Sequence, residues 1–340
     1  MKVMLTGGTG FVGGNLASKL VARGNYVKCL VRKTSNVERL KSLGVELHYG
    51  DLSDFNSLLE ATRKVDIVYH CAALVTDWGI RKEFYRVNVE GTRNVLKACE
   101  ENGVQRVIYV SSNDVIWRFD NHIEIDESYP YPKKYKHPYS ETKAESEKLA
   151  LKYNYEGRVE TVIIRPCCIV WGPGDKVILP RIVQLAINGN LVLIGDGNNL
   201  ISLSYIENLT DAMILASEKK ETRGKVYFIN DDIKITFADY ISRLLTSLGI
   251  EWSPVRSIPY FLAYGLASVM EVWAKLLKSR TPPVLTRYAV ALMSRNLNYS
   301  IEKAKKELNY QPRINLDEGL TQLKHWVDSI GGISALMELK

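Results

Sequence analysis

The chain has 340 residues, 46% of them apolar and 24% charged, the balance of an ordinary globular protein with room for a large domain and a smaller partner. Its net charge of +7 is modest and dispersed and comes with no nucleic-acid module, so no nucleic-acid partner is expected. Five cysteines (Cys29, Cys71, Cys99, Cys167, Cys168) in mostly apolar runs, without CxxC spacing, exclude a disulfide framework and a zinc site, and no metal is expected.

Lys2 to Thr6 is a short apolar run that reads as a buried strand. Because it starts at once, no signal peptide is expected ahead of it, and the expected location is cytoplasmic. Gly7-Gly8-Thr9-Gly10-Phe11-Val12-Gly13 then turns into a helical stretch from Asn15 to Ala22. Strand, glycine turn and helix in this order form a dinucleotide fingerprint: Gly7 for the tight turn, Gly10 for close approach of a pyrophosphate, Gly13 for close helix–strand packing. The phosphates would lie over the free N–H groups at the start of that helix.

The second strand, Tyr26 to Val31, ends in Arg32-Lys33, with no carboxylate before Glu38. An acidic residue here would bind the ribose hydroxyls of NAD, whereas a cation suits the extra phosphate of NADP, so NADP(H) is expected ahead of NAD(H). Further strands read at Val45 to Tyr49, Asp66 to His70 and Arg106 to Val110, with a helix from Arg81 to Glu101 that carries Asn88. Strands and helices alternating at this spacing predict an α/β fold, a Rossmann-type doubly wound parallel sheet. Right-handed crossovers then bring Gly7, Arg32, Asp51, Ala72 and Ser112, each just past a strand end, to one edge.

Taken together, Thr6 to Gly13, Gly50-Asp51-Leu52, Val87 to Thr92, Val110-Ser111-Ser112 and Tyr139-Ser140-Glu141-Thr142-Lys143 resemble the extended short-chain dehydrogenase/reductases. The resemblance is strong to about Arg165 and looser beyond. It implies a cofactor-binding set of Gly7, Thr9, Gly10, Phe11, Val12, Gly13, Arg32, Lys33, Asp51, Leu52, Ala72, Ala73, Tyr139, Lys143 and Pro166. It also implies a homodimer paired through the Asn88 and Tyr139 helices.

Tyr139 and Lys143 are four apart and share a helix face. A nearby ammonium is expected to pull the phenol down toward the working range. By resemblance, Tyr139 would pass a proton to or from a substrate oxygen, Lys143 would tune it and hold the nicotinamide ribose, and Ser112 would bind the same oxygen. Ser111 is the adjacent alternative, since alternation along a strand lets only one of the two serve. Asn88 would support a water relay to Lys143. Tyr129 to Pro138, rich in proline and lysine, reads as a solvated loop.

After a strand at Thr161 to Arg165, residues 166–340 read as a smaller C-terminal α+β substrate lobe beside the 1–165 cofactor domain. Strands at Leu200 to Ser204 and Val226 to Ile229 are expected at the main sheet or its edge. Two reaction classes share this scaffold. Nucleotide-sugar epimerases and dehydratases with tightly bound NAD usually carry a lobe arginine where this chain has Ile201, and an asparagine where it has Cys168 or Ile169; isoleucine offers a diphosphate nothing. The Arg165-Pro166 pair and Tyr205-Ile206-Glu207-Asn208-Leu209 instead look like the 3β-hydroxysteroid dehydrogenase and dihydroflavonol-reductase branch. That branch interconverts ketones and secondary alcohols on apolar, sterol-, flavonoid- or lipid-like substrates. A non-enzymatic nucleotide-sensing protein is a third reading, against which the intact tyrosine and lysine argue. Residues 258–278 are the most apolar part of the lobe; Glu271 and Lys275 interrupt them, so a pocket-capping or membrane-resting helix is weighed against a plainly packed one, with a spanning helix ranked below.

Overall fold

A computed structural model describes residues 1–252 and 257–339. Positions 253–256 and 340, both within the predicted lobe, lie outside the described residues. In the first half, five short apolar runs form β1 (Lys2–Thr6), β2 (Tyr26–Val31), β3 (Glu46–Tyr49), β4 (Ile67–His70) and β5 (Arg106–Val110). With Glu160–Pro166 and Val226–Ile229 they make one sheet of order β3-β2-β1-β4-β5, then 160–166, then 226–229. Every pairing is parallel. The central strands β4 and β5 are buried along their whole length, as strands covered by helices on both faces must be.

Strand order reverses at β1, which pairs with β2 on one side and β4 on the other. A crevice opens at such a switch point at the carboxyl ends of the strands, and both Gly7 and Ala72 flank it. The first helix, α1 (Phe11–Ala22), begins four residues earlier than the sequence pattern predicts. Gly13 and Gly14 carry little helical propensity, which hides the start, yet close packing on the preceding turn holds them helical.

The predicted Arg81–Glu101 helix is broken into an α turn at Arg81–Phe84, a π-helical stretch at Tyr85–Glu90 and an α-helix at Gly91–Glu101. No boundary falls cleanly at 165. Val226–Ile229 does join the main sheet, beside 160–166. Leu200–Ile201 does not: it sits in a separate four-stranded sheet with Ile235–Thr236, Leu297–Tyr299 and His122–Ile125, the last from the first half of the chain. Leu203–Tyr205 instead pairs with Ile169–Trp171. The break at Ser202 has a cause: its hydroxyl accepts from Tyr299 N–H at 3.1 Å and from Asn230 Nδ2 at 3.4 Å, turning the chain from one sheet to the other. The helices on which the dimer expectation rests turn exposed cations outward, Arg93 and Lys97 on one and Lys148 and Lys152 on the other.

A Cβ on Gly13 would come within 2.3 Å of the Gly7 carbonyl oxygen, so the fingerprint turn tolerates no side chain there. Gly13→Ala is therefore expected to cost at least about 2 kcal/mol. Gly24→Ala, where φ is +75° but no atom lies within 4 Å, should cost only about 1 kcal/mol of backbone strain. Denaturant titration of the two variants checks the order.

Candidate active site

Gly7 has φ +74°, and a Cβ there would lie 2.8 Å from the Ala72 nitrogen, so the turn after β1 and the chain leaving β4 touch backbone to backbone. Thr6 stitches them: its hydroxyl meets His70 Nδ1 at 2.6 Å and accepts from Ala72 N–H at 3.2 Å. His70 Nε2 continues to the Thr92 hydroxyl at 2.9 Å, and burial draws the imidazole down to about 3, with the Lys143 charge adding to the effect. Gly10 starts α1 with no side-chain cap, and the first turn holds no carboxylate. The opening N–H groups and the positive helix end are thus unspent by side chains, which fits a pyrophosphate. Thr9 is exposed at this end, while Phe11 and Val12 are half-buried.

Farther along the same edge Arg32 and Lys33 are exposed just past β2. Asp51 accepts from the Ser53 hydroxyl at 2.6 Å and the Ser53 N–H at 2.9 Å; these bonds, with the charges of Arg32 and Arg86, hold its carboxyl below the ordinary value. Leu52 accepts from Asn94 Nδ2 at 2.8 Å, and Ala73 lies half-buried beside Ala72.

The helix Pro138–Tyr155 starts with proline in its first turn, where a missing N–H costs nothing. Tyr139, Lys143 and Glu147 follow at intervals of four, and all three are buried. Glu147 anchors the helix. It takes Arg165 of the neighbouring strand at 2.5 Å, with side-chain exposures of 0% and 3%, together with the Tyr131 hydroxyl at 2.6 Å and the Ser111 hydroxyl. The two serines part locally: Ser111 donates to Glu147, whereas Ser112 faces the other way, accepts from Asp114 N–H at 3.2 Å and acts on the Tyr139 phenol. Pro166, at the end of the same strand as Arg165, is buried opposite Ile229.

Lys143 Nζ donates to the Val110 carbonyl at 2.6 Å and lies 4.3 Å over the Tyr109 ring. Burial draws it down to about 7, against the opposing pull of Glu147. The expectation that the lysine would bring the phenol down is not met in this arrangement. Burial raises Tyr139 and the Asp114 charge raises it further, with only Ser112 acting the other way. Lys143 directs its Nζ at the Val110 carbonyl, and the loss of solvation around the phenol outweighs what opposes it.

Asn88, expected to support a water relay to Lys143, is held by neighbouring protein groups. Its amide donates to Thr142 Oγ1 at 3.1 Å and to the Leu74 carbonyl at 3.3 Å, and accepts from Leu74 N–H at 2.7 Å. Both N–H groups are used, and the side chain ties the chain after β4 to the helix Pro138–Tyr155. Three residues that sequence reasoning passed over complete the site. Asp114 lies two past Ser112; Tyr288, from the lobe, donates to it at 2.7 Å; His137 stacks on Tyr288 with ring centroids 4.8 Å apart. Asp114 could have been suspected from its place just past a strand end. Tyr288, 149 positions after Tyr139, carries no local signal. In the lobe, Ile201 is fully buried and pairs with Ile235 and Leu297, so position 201 offers nothing to a diphosphate.

Residues 4–260 match the model of the 3-beta hydroxysteroid dehydrogenase/isomerase family. The chain is 35% identical over 331 residues to a 2-alkyl-3-oxoalkanoate reductase of Stenotrophomonas maltophilia, with 95% of this chain and 98% of that one covered. It is 34% identical over 325 residues to a 4-hydroxy-2-methyl-3-oxo-4-farnesyl-3,4-dihydroquinoline-1-oxide ketoreductase of Stigmatella aurantiaca, covering 95% and 96%. Among solved structures, it is similar to the dTDP-glucose 4,6-dehydratase DesIV of Streptomyces venezuelae with NAD and TYD bound, at TM-score 0.76 and 25% identity over 97% of each chain.

Burial pushes Asp114 from an ordinary value of 3.8 up to about 6, with the Tyr288 hydroxyl opposing. A raised carboxyl favours folding below the ordinary value and loses that contribution as pH rises through about 6. Asp114→Asn should therefore gain stability relative to the parent between pH 4 and 7, by roughly 2–3 kcal/mol at the top of that range. Paired melting curves across that range check it; a constant difference would mean the Asp114 carboxyl is not raised.

Proposed function

Because the chain belongs to the 3-beta hydroxysteroid dehydrogenase/isomerase family and is an oxidoreductase acting between keto and CH–OH groups, we propose that it reduces a ketone on an apolar substrate with NADPH, Tyr139 giving the proton. The observation that carries this reading is the buried face of helix 138–155, which sets Tyr139 beside Ser112 at the carboxyl edge of the sheet. The two curated relatives have names that pair an oxo group with alkyl or farnesyl substituents, which supports an apolar ketone. The DesIV structure holds NAD, which supports a nicotinamide cofactor in this fold.

The start of α1 would take the pyrophosphate, and Arg32 with Lys33 the 2′-phosphate. Gly7, Ala72 and Ala73 would bound the crevice, Asp51 and Leu52 the adenine side. Lys143 and Pro166 would lie at the nicotinamide end. When bound, the nicotinamide supplies the hydride. Ser112 holds the carbonyl oxygen and polarises it. Burial and Asp114 keep Tyr139 protonated, the form that can give a proton to a substrate oxygen. Lys143, drawn to about 7, can restore that proton near neutrality. The epimerase or dehydratase reading loses its main support at Ile201, whose buried side chain cannot replace a phosphate-gripping arginine.

Tyr139→Phe should lower kcat/KM for ketone reduction by at least about 100-fold while leaving nucleotide binding intact; turnover close to the parent's would remove Tyr139 from the mechanism. The parent should prefer NADPH to NADH by tenfold or more, and Arg32→Glu should reverse the preference. Absorbance at the nicotinamide band measures both. Tight, saturable binding of UDP would favour the nucleotide-sugar reading instead.

A further inference from the structure

Helix Tyr260–Leu276 buries its small side and presents its large one. Ala263, Ala267, Glu271 and Ala274 face inward. Phe261, Leu266, Val269, Trp273, Leu276 and Leu277 recur at helical spacing on the opposite side, with exposures between 54% and 75%. An ordinary lobe helix does the reverse. Ions reinforce the asymmetry. Between residues 258 and 287 the only carboxylate is Glu271, and it is turned inward onto Arg287 at 2.7 Å. Lys275, Lys278 and Arg280 stand exposed at the carboxyl end.

Neighbouring segments extend the same surface. Trp78 Nε1 donates to the Ser279 carbonyl at 3.0 Å, which sets the loop bearing exposed Val75 and Ile80 beside the end of the helix. Val284, 78% exposed, lies next to Arg181, whose guanidinium reaches its carbonyl at 3.4 Å. No helix among the described residues is long and apolar enough to cross a membrane.

We propose that this face rests on an anionic lipid surface, with the apolar stripe of helix 260–276 in the headgroup boundary and Lys275, Lys278 and Arg280 on the lipid phosphates. A patch of this size on one helix, with cations at its margin and no carboxylate outward, has the composition of an interfacial helix. A second copy fits less well. Antiparallel pairing would set the three cations against the positive amino end of the partner helix, and parallel pairing would set them against each other. The face also borders the site. Helix 260–276 packs on Arg287–Ser294, which carries Tyr288, and the loop that carries Val75 begins at Leu74, tied to Asn88. A ketone with a long apolar chain could then reach Tyr139 from lipid; that consequence rests on the reductase reading, whereas docking does not.

Flotation of the full chain with vesicles tests the proposal. Vesicles of equal phosphatidylglycerol and phosphatidylcholine should carry the protein upward, and pure phosphatidylcholine at least tenfold less. Leu266→Glu/Trp273→Glu should lose tenfold or more of the anionic-vesicle binding while reducing a short water-soluble ketone within twofold of the parent, which shows that it is folded. The proposal is overturned if the parent stays in the aqueous fraction at millimolar lipid, or if the double variant floats as well as the parent. It is also overturned if sedimentation shows a dimer that this variant splits while neither protein binds vesicles. Flotation without turnover of any ketone would count against the reductase reading alone.

Discussion

The buried ion pair of Glu147 and Arg165 is the constraint on which the site depends. It joins the helix Pro138–Tyr155 to the sheet strand 160–166, and both carboxylate oxygens are engaged: by three hydrogen bonds from Arg165 and by one each from the Tyr131 and Ser111 hydroxyls. The carboxylate is fully engaged, whereas Arg165 Nη1 is buried without a hydrogen-bond partner among the described residues, and removing either member of a pair taken out of water would strand the other. Because Glu147, Lys143 and Tyr139 lie one turn apart on the same face, fixing the first fixes the rotation of the helix. Tyr139 is thereby held toward the end of β5, where Ser112 stands. The pair also occupies Ser111, whereas the Ser112 hydroxyl accepts from Asp114 N–H.

Burial sets the electrostatics of the centre more than any single neighbour does. It lifts Tyr139 and Asp114, lowers Lys143 and His70, and so pushes every one of these groups toward its neutral form. Asp114 adds a lobe connection: through Tyr288 it links the cofactor-side strand end to a helix that itself carries the exposed apolar helix 260–276. Asp114, Tyr288 and the outward face are joined by a short chain of contacts.

Much of the first half was legible. A period of alternating apolar strands and helices forces a parallel sheet, and glycines at 7, 10 and 13 announce a turn whose close approaches the structure reproduces at Gly7 and Gly13. The lobe was less legible, because its strands are two to four residues long and hide in loops. Leu200–Ile201 and Leu203–Tyr205 read as one strand, yet Ser202 sends them to different sheets. His122–Ile125 lies in the first half by number and in the lobe by pairing. Helix 260–276 was visible as an apolar segment, but hydropathy alone does not say which side faces out; the alanines at 263, 267 and 274 decide it only once they meet the helix 287–294.

The sequence by itself determined the strand–turn–helix that cradles a dinucleotide, the parallel architecture, and the tyrosine and lysine one turn apart, because each depends on residues near one another in the chain. Only the tertiary structure decided that Ser111 is bound to Glu147, that the Asn88 amide ties the chain after β4 to the helix Pro138–Tyr155, that Asp114 meets Tyr288, and that a greasy helix faces outward. Those outcomes follow from burial and from hydrogen-bond partners up to about two hundred residues away, which no local pattern encodes.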